Sequence, residues 1–194
     1  MENVPNEIAD ILQETAALHA EMAEQPDDIG HCIRLILDAM RDGGTLYVMG
    51  NGGSAADAQH LAGELVGRFE MERPALPCVA LTTDTSVLTS IGNDYGISEV
   101  FTRQVEGLVG AGDAVLGIST SGNSENILRA LTEARTRGAV TLGLTGAGGG
   151  KIAETCDALI CVPSSHTPRI QEAHATIIHI MCRVLERELS ASTS

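Results

Sequence analysis

The sequence predicts a doubly wound α/β sandwich, with about five parallel strands covered by helices on both faces and two further helices in front. Three observations carry this. Short apolar runs at 45–49, 78–81, 114–118, 140–144 and 158–162 lack polar alternation and are bounded by Gly, Ser, Thr and Asp. Such runs read as strands buried on both faces. Segments with apolar residues three and four apart separate them, and strand–helix alternation of this kind builds a parallel sheet. In such sheets ligands bind beyond the carboxyl ends of the strands.

The elements follow in order. Ile8, Ile11, Leu12, Thr15, Leu18 and Met22 recur at helical spacing up to a break at Gln25-Pro26-Asp27. A second helix turns Ile29, Cys32, Ile33, Ile36, Leu37 and Met40 inward and stops at Gly43-Gly44. After the first strand come helical stretches at 54–68, 86–91, 98–109, 124–137 and 151–155, set between the remaining strands. A last long helix spans about 168–189, with Ile170, Ile177, Ile178, Met181 and Leu185 apolar.

The chain has 194 residues, of which 43% are hydrophobic, enough for a core and too many for wholesale disorder. Aromatics are 2% and Trp is absent, so stacking platforms for single-stranded nucleic acid are not expected. Twelve Lys and Arg against 26 Asp and Glu leave a net charge of −14, which repels phosphate backbones and anionic membranes. No apolar run approaches the roughly 20 residues that span a bilayer. The start, Met1-Glu2-Asn3-Val4-Pro5-Asn6-Glu7, lacks the basic and apolar regions of a signal peptide. Cys32, Cys78, Cys156, Cys161 and Cys182 form no CxxC pair, as expected of free, mostly buried thiols in a reducing cytoplasm.

Two turns stand out. Gly50-Asn51-Gly52-Gly53-Ser54-Ala55-Ala56-Asp57 leaves the first strand and opens a helix of small residues, with Ser54 available as a cap. It is neither GxGxxG nor a Walker A loop. It reads either as a plain tight turn or as an anion site at a helix N-terminus. Ser119-Thr120-Ser121-Gly122-Asn123-Ser124 leaves the third strand with four hydroxyls in six positions, more than a cap needs. Hydroxyls and helix N–H groups can satisfy a phosphate without many cations, which suits so acidic a chain. Gly146-Ala147-Gly148-Gly149-Gly150 carries no hydroxyl at its helix start and reads as connection only.

His60 and Glu64, four apart, share one helix face. The pair is either a surface ion pair or a site in which both hold a metal or one acts as base. His179 lies between Ile177-Ile178 and Ile180-Met181, as a core histidine bonded to a carbonyl would, or as a functional group. His19, His31, His166 and His174 invite only structural roles. Gln171 and His179 stand roughly 12 Å apart along an ideal helix, so a metal shared by both needs long reach or a second subunit.

Gly50 to His60 followed by Glu64, then Arg73-Pro74, Thr82-Thr83-Asp84, Gly92-Asn93-Asp94-Tyr95, Ser119 to Ser124 and Arg169-Ile170-Gln171-Glu172, resemble the phosphoheptose isomerases. These are the sedoheptulose 7-phosphate isomerases of the sugar isomerase (SIS) domain superfamily. The likeness spans nearly the whole chain. It implies a three-layer, flavodoxin-like SIS domain with a five-stranded parallel sheet over 43–194, and N-terminal helices over 1–42 that pack on it and at an oligomer interface. It also implies conversion of D-sedoheptulose 7-phosphate, a phosphorylated seven-carbon sugar, to D-glycero-D-manno-heptose 7-phosphate, the first step toward nucleotide-activated heptoses. The resemblance further implies a cytoplasmic homotetramer with sites at subunit interfaces and one zinc per subunit, acting on neither nucleic acid nor membrane. Carried over, His60, Glu64, Gln171 and His179 look like the metal ligands, and Glu64 and His179 like the catalytic proton-transfer pair. Asn51, Gly52, Gly53, Ser54, Asn93, Asp94, Ser119, Thr120, Ser121, Ser124 and Gln171 look like substrate contacts.

Two relatives of the fold compete with that reading. DnaA-binding initiator-associating proteins are similar in the turns but lack counterparts of Glu64 and His179, both of which this chain has. Sugar-phosphate-responsive regulators carry a DNA-binding segment for which this chain has neither length nor positive charge.

Overall fold

The computed structural model describes residues 3–191. Met1, Glu2 and residues 192–194 lie outside them. Helices α1 (Val4–Ala23) and α2 (Asp27–Arg41) come first. Then β1 (Leu46–Gly50), α3 (Gly53–Val66), β2 (Cys78–Ala80), α4 (Thr85–Asp94) and α5 (Thr102–Leu108) follow. The chain continues through β3 (Ala114–Ser119), α6 (Glu125–Thr136), β4 (Val140–Thr145), β5 (Ala158–Cys161) and α7 (Thr167–Ser190). The sheet is five-stranded, in the order β2-β1-β3-β4-β5, and every pair is parallel. Each strand begins and ends within one residue of its expected position.

Side chains alternate across the sheet, which divides the interior in two. Leu46, Val48, Leu116, Ile118, Leu142 and Leu144 face one core, shared with Leu61, Ile36, Ile177 and Met181 of α3, α2 and α7. Met49 and Val115 face the other, shared with Val105, Ile127 and Leu131 of α5 and α6. Two helical layers on one sheet give the expected sandwich.

Two helix expectations need correction. The helix expected at 98–109 is broken: Ile97–Glu99 is a 3-10 turn and α5 starts at Thr102. The helix expected at 151–155 is likewise a 3-10 turn, Gly150–Glu154. The apolar stripe of α1 is covered only in part. Leu18 is its one buried residue, while Ile8, Ile11 and Leu12 are 53%, 42% and 65% exposed. The spacing signals an amphipathic helix but not what covers its apolar face.

β1 and β3 are neighbours, with Gly50 opposite Ile118. Their connections run to opposite faces, so the strand order reverses there and leaves a crevice at their carboxyl ends. Both turns singled out in the sequence open into it.

Candidate active site

The first turn leaves β1 at Gly50, and α3 begins at Gly53. Gly52, not Ser54, is the residue before the helix, and Ser54 is buried inside the first turn. Ser54 therefore does not cap α3. Gly53 is required by close approach, since a Cβ there would collide with the Gln171 carboxamide from α7. Gln171 is thus held against the first turn, seven residues before His60 along α3.

Across the crevice, Ser119 Oγ and Ser124 Oγ lie 3.0 Å apart, and Ser121 Oγ accepts a hydrogen bond from Asn123 N at 3.2 Å. Ser124 turns toward Ser119, and no side chain caps α6. The N–H groups at the start of α6 therefore point into the turn without a competing cap. Ser121 is exposed, while Thr120 and Ser124 are half-buried.

The two turns are tied by a residue that the sequence reading missed. Asn51 Nδ2 donates to Asn126 Oδ1 at 3.0 Å, and Asn126 Nδ2 donates back to Asn51 Oδ1 at 2.9 Å. Asn126 is 7% exposed and interrupts the buried stripe Ile127, Ala130, Leu131 and Ala134 of α6. A polar residue on an apolar helix face was the available signal.

The Gly146–Gly150 turn does more than connect. Gly146 N donates to Thr120 O at 3.1 Å, and Ile152 N to Gly122 O at 3.0 Å. Lys151 N donates to Asn123 Oδ1 at 3.2 Å. Gly122 has φ +64°, and a Cβ there would strike the Gly149 carbonyl. The glycine turn is a backbone buttress that shapes the serine turn.

The third group of residues lies along the seam of α3 and α7. His60 Nε2 is 3.2 Å from Glu64 Oε1, its neighbour one turn on. The same Nε2 is 3.2 Å from His179 Nε2. His179 is exposed, so it is not the core histidine its apolar neighbours suggested. That role belongs to His174, fully buried, whose Nε2 lies 3.2 Å from the Thr145 carbonyl oxygen. Burial pushes the His174 pKa down to about 4. Phe69, also unforeseen, stacks on His179 with ring centroids 5.6 Å apart.

One nitrogen facing both a carboxylate and a second imidazole nitrogen cannot satisfy both with its single proton. If His60 Nε2 donates to Glu64, it presents N–H to His179; if it accepts from His179, it presents a lone pair to the carboxylate. A cation resolves the conflict, and donors bound at roughly 2.0–2.2 Å in a tetrahedral site stand a little over 3 Å apart. His60, Glu64 and His179 are thus of the donor types that a divalent metal takes, with His60 Nε2 3.2 Å from each of the other two. As the side chains stand, no three His, Cys, Asp or Glu among the described residues form a ready-made cage. Gln171, the fourth expected ligand, is at the first turn.

Asn93 and Asp94 end α4 exposed, Asn93 Nδ2 donating to Asp94 Oδ1 at 2.8 Å. Among the described residues, no hydrogen bond joins them to either turn or to the histidines.

Comparison with known proteins agrees with this architecture. The SIS domain family model matches residues 11–146. The phosphoheptose isomerase of Pelobacter propionicus is 56% identical over 181 residues, covering 93% of this chain and 90% of its own. That of Geobacter sulfurreducens is 57% identical over 173 residues, 89% of this chain and 90% of its own. The phosphoheptose isomerase structure from Neisseria gonorrhoeae superposes with a TM-score of 0.89 at 42% identity, covering 95% of this chain and 99% of that one. That from Francisella tularensis gives 0.90 at 36%, covering 94% and 97%. Over this extent and identity the conclusion is direct: the chain belongs to the phosphoheptose isomerases, isomerases built on the SIS domain fold.

Proposed function

We infer that this isomerase converts D-sedoheptulose 7-phosphate to D-glycero-D-manno-heptose 7-phosphate by proton transfer through an enediol. The observation that carries the reading is the meeting of a carboxylate and two imidazoles, Glu64, His60 and His179, beside a crevice lined with hydroxyls and helix N–H groups.

Moving a carbonyl between adjacent carbons needs a base at carbon, an acid at oxygen, and stabilisation of negative charge on that oxygen. Glu64 takes the proton from C1 while His179 gives one to the C2 oxygen, producing the enediol. His179 then takes the proton from the C1 hydroxyl, and Glu64 returns its own to C2. Electrons and protons balance, and no external oxidant is required. A divalent metal such as zinc, one per subunit and held by His60, Glu64 and His179, would polarise the carbonyl and hold the adjacent hydroxyl. Coordination would lower the basicity of Glu64 and would occupy a ring nitrogen of His179, so ligation and proton transfer oppose one another in both side chains.

The phosphate is taken by Ser119, Thr120, Ser121 and Ser124 with the uncapped start of α6. Asn51, Gly52, Gly53 and Ser54, with Gln171 across from them, meet the sugar. Asn93 and Asp94, which no hydrogen bond among the described residues joins to either turn, are substrate contacts if a neighbouring subunit supplies them. That fits a cytoplasmic homotetramer with shared sites, and the uncovered stripe Ile8, Ile11 and Leu12 supports such assembly. No helix among the described residues is long and apolar enough to cross a membrane.

The test is incubation with sedoheptulose 7-phosphate, following the aldose by NMR with and without a chelator. Conversion supports the reading. No conversion, with tight binding to a protein partner, favours a non-catalytic module.

A further inference from the structure

One ion pair in this protein is withdrawn almost wholly from water. The Arg73 and Glu186 side chains are each 1% exposed, with Nε 3.1 Å from Oε1. Burying two charges is costly unless their remaining donors and acceptors are met, and an apolar pair of similar volume is often as stable or more so. The partners that meet them are therefore informative.

Arg73 Nη2 donates to the backbone carbonyl oxygen of Glu64 at 2.9 Å, and Nη1 to that of Leu65 at 2.7 Å. These residues lie in the last turn of α3, where carbonyls lack helical partners and helices fray. Glu186 accepts on Oε1 from Phe69 N at 3.0 Å. On Oε2 it accepts from Glu70 N at 2.8 Å and Met71 N at 3.0 Å. Phe69 is the ring stacked on His179. Glu186 and His179 are seven residues apart on α7, two turns along one face. A single guanidinium–carboxylate pair thus fastens the end of α3 that bears Glu64, and the loop that bears Phe69, to the helix that bears His179.

We propose that Arg73 and Glu186 are positioning residues for proton transfer, fixing Glu64 and His179 at their working separation. The proposal rests on the reading of those two groups as the proton-transfer pair. The turns proposed to meet sugar and phosphate leave β1 and β3 and receive no hydrogen bond from Arg73 or Glu186, so substrate affinity lies outside this role.

The experiment compares wild type, Arg73→Lys, Glu186→Asp and Glu64→Gln. Arg73→Lys keeps the charge but lacks the fork that bridges two carbonyls and a carboxylate. Glu186→Asp keeps the pair but shortens the reach to the Phe69 loop. Each folded variant is expected to lose at least about ten-fold in kcat, with KM for the sugar phosphate within about two-fold, because small misplacement of reacting groups is costly. Zinc affinity of the metal-free protein, read by competition with a chromophoric chelator, should fall in parallel. If Arg73→Lys does not fold, Glu186→Asp is read by the same criteria. Should the folded variants melt earlier yet keep kcat and zinc affinity while Glu64→Gln is inactive, the pair is merely structural and the proposal is overturned, with the mechanism intact. If Glu64→Gln itself turns over normally, the mechanism fails and takes the proposal with it.

Discussion

His60 and His179 face each other nitrogen to nitrogen at 3.2 Å, although 119 residues separate them in the chain. α3 and α7 lie side by side against one face of the sheet. The contact joins the helix that opens at the glycine turn after β1 to the last helix of the fold. The proposed proton-transfer pair therefore sits on two packed helices, and the proposed substrate contacts on the turns beside them.

Removal of a single hydroxyl tests the recognition half. Ser121 is exposed in its turn and contributes no bond to the buried core. Ser121→Ala should raise KM by about ten-fold, the value of one hydrogen bond to a charged group, while leaving the melting temperature nearly unchanged. A variant with normal KM would take Ser121 out of the phosphate site.

The buttress makes the opposite prediction. Gly122 has φ +64°, and its α-carbon faces the Gly149 carbonyl. Gly122→Ala combines a left-handed alanine, costing about 1–2 kcal/mol, with a backbone collision. Both stability and substrate affinity should fall, by thermal melt and by KM. An unchanged melt would mean that the two turns are not interlocked.

His174 sets an acid limit on stability. Burial lowers its pKa from 6.5 to about 4, so the folded state keeps it neutral while the unfolded chain binds a proton below about pH 6.5. Its contribution is complete above pH 6.5 and is lost as pH falls toward 4, at most ~1.4 kcal/mol per unit. Urea melts at pH 7, 5.5 and 4.5 should show a steeper loss for wild type than for His174→Asn. Parallel slopes would contradict the assignment.

Much of this was legible in the residues. Unalternated apolar runs gave all five strands, because burial on both faces leaves no room for polar positions. The serine turn was legible because its hydroxyls exceed any capping need. His179 was harder: flanking isoleucines suggested burial, but α7 turns it toward the open seam and places His174 in the core instead. Asn126, Phe69 and the Arg73–Glu186 pair went unrecognised because their partners are 75, 110 and 113 residues away. Only the packing of α3, α6 and α7 brings those partners within reach. The glycine turn was underrated for a related reason, since its role is a contact between two backbones that no side chain announces.

The most direct measurement is turnover of sedoheptulose 7-phosphate by wild type, Glu64→Gln and His179→Gln, with folding checked by thermal melt. Both variants should fold and lose turnover by about a hundred-fold or more, because each removes a proton carrier while preserving shape. Near-normal turnover in folded Glu64→Gln would contradict proton abstraction by that carboxylate.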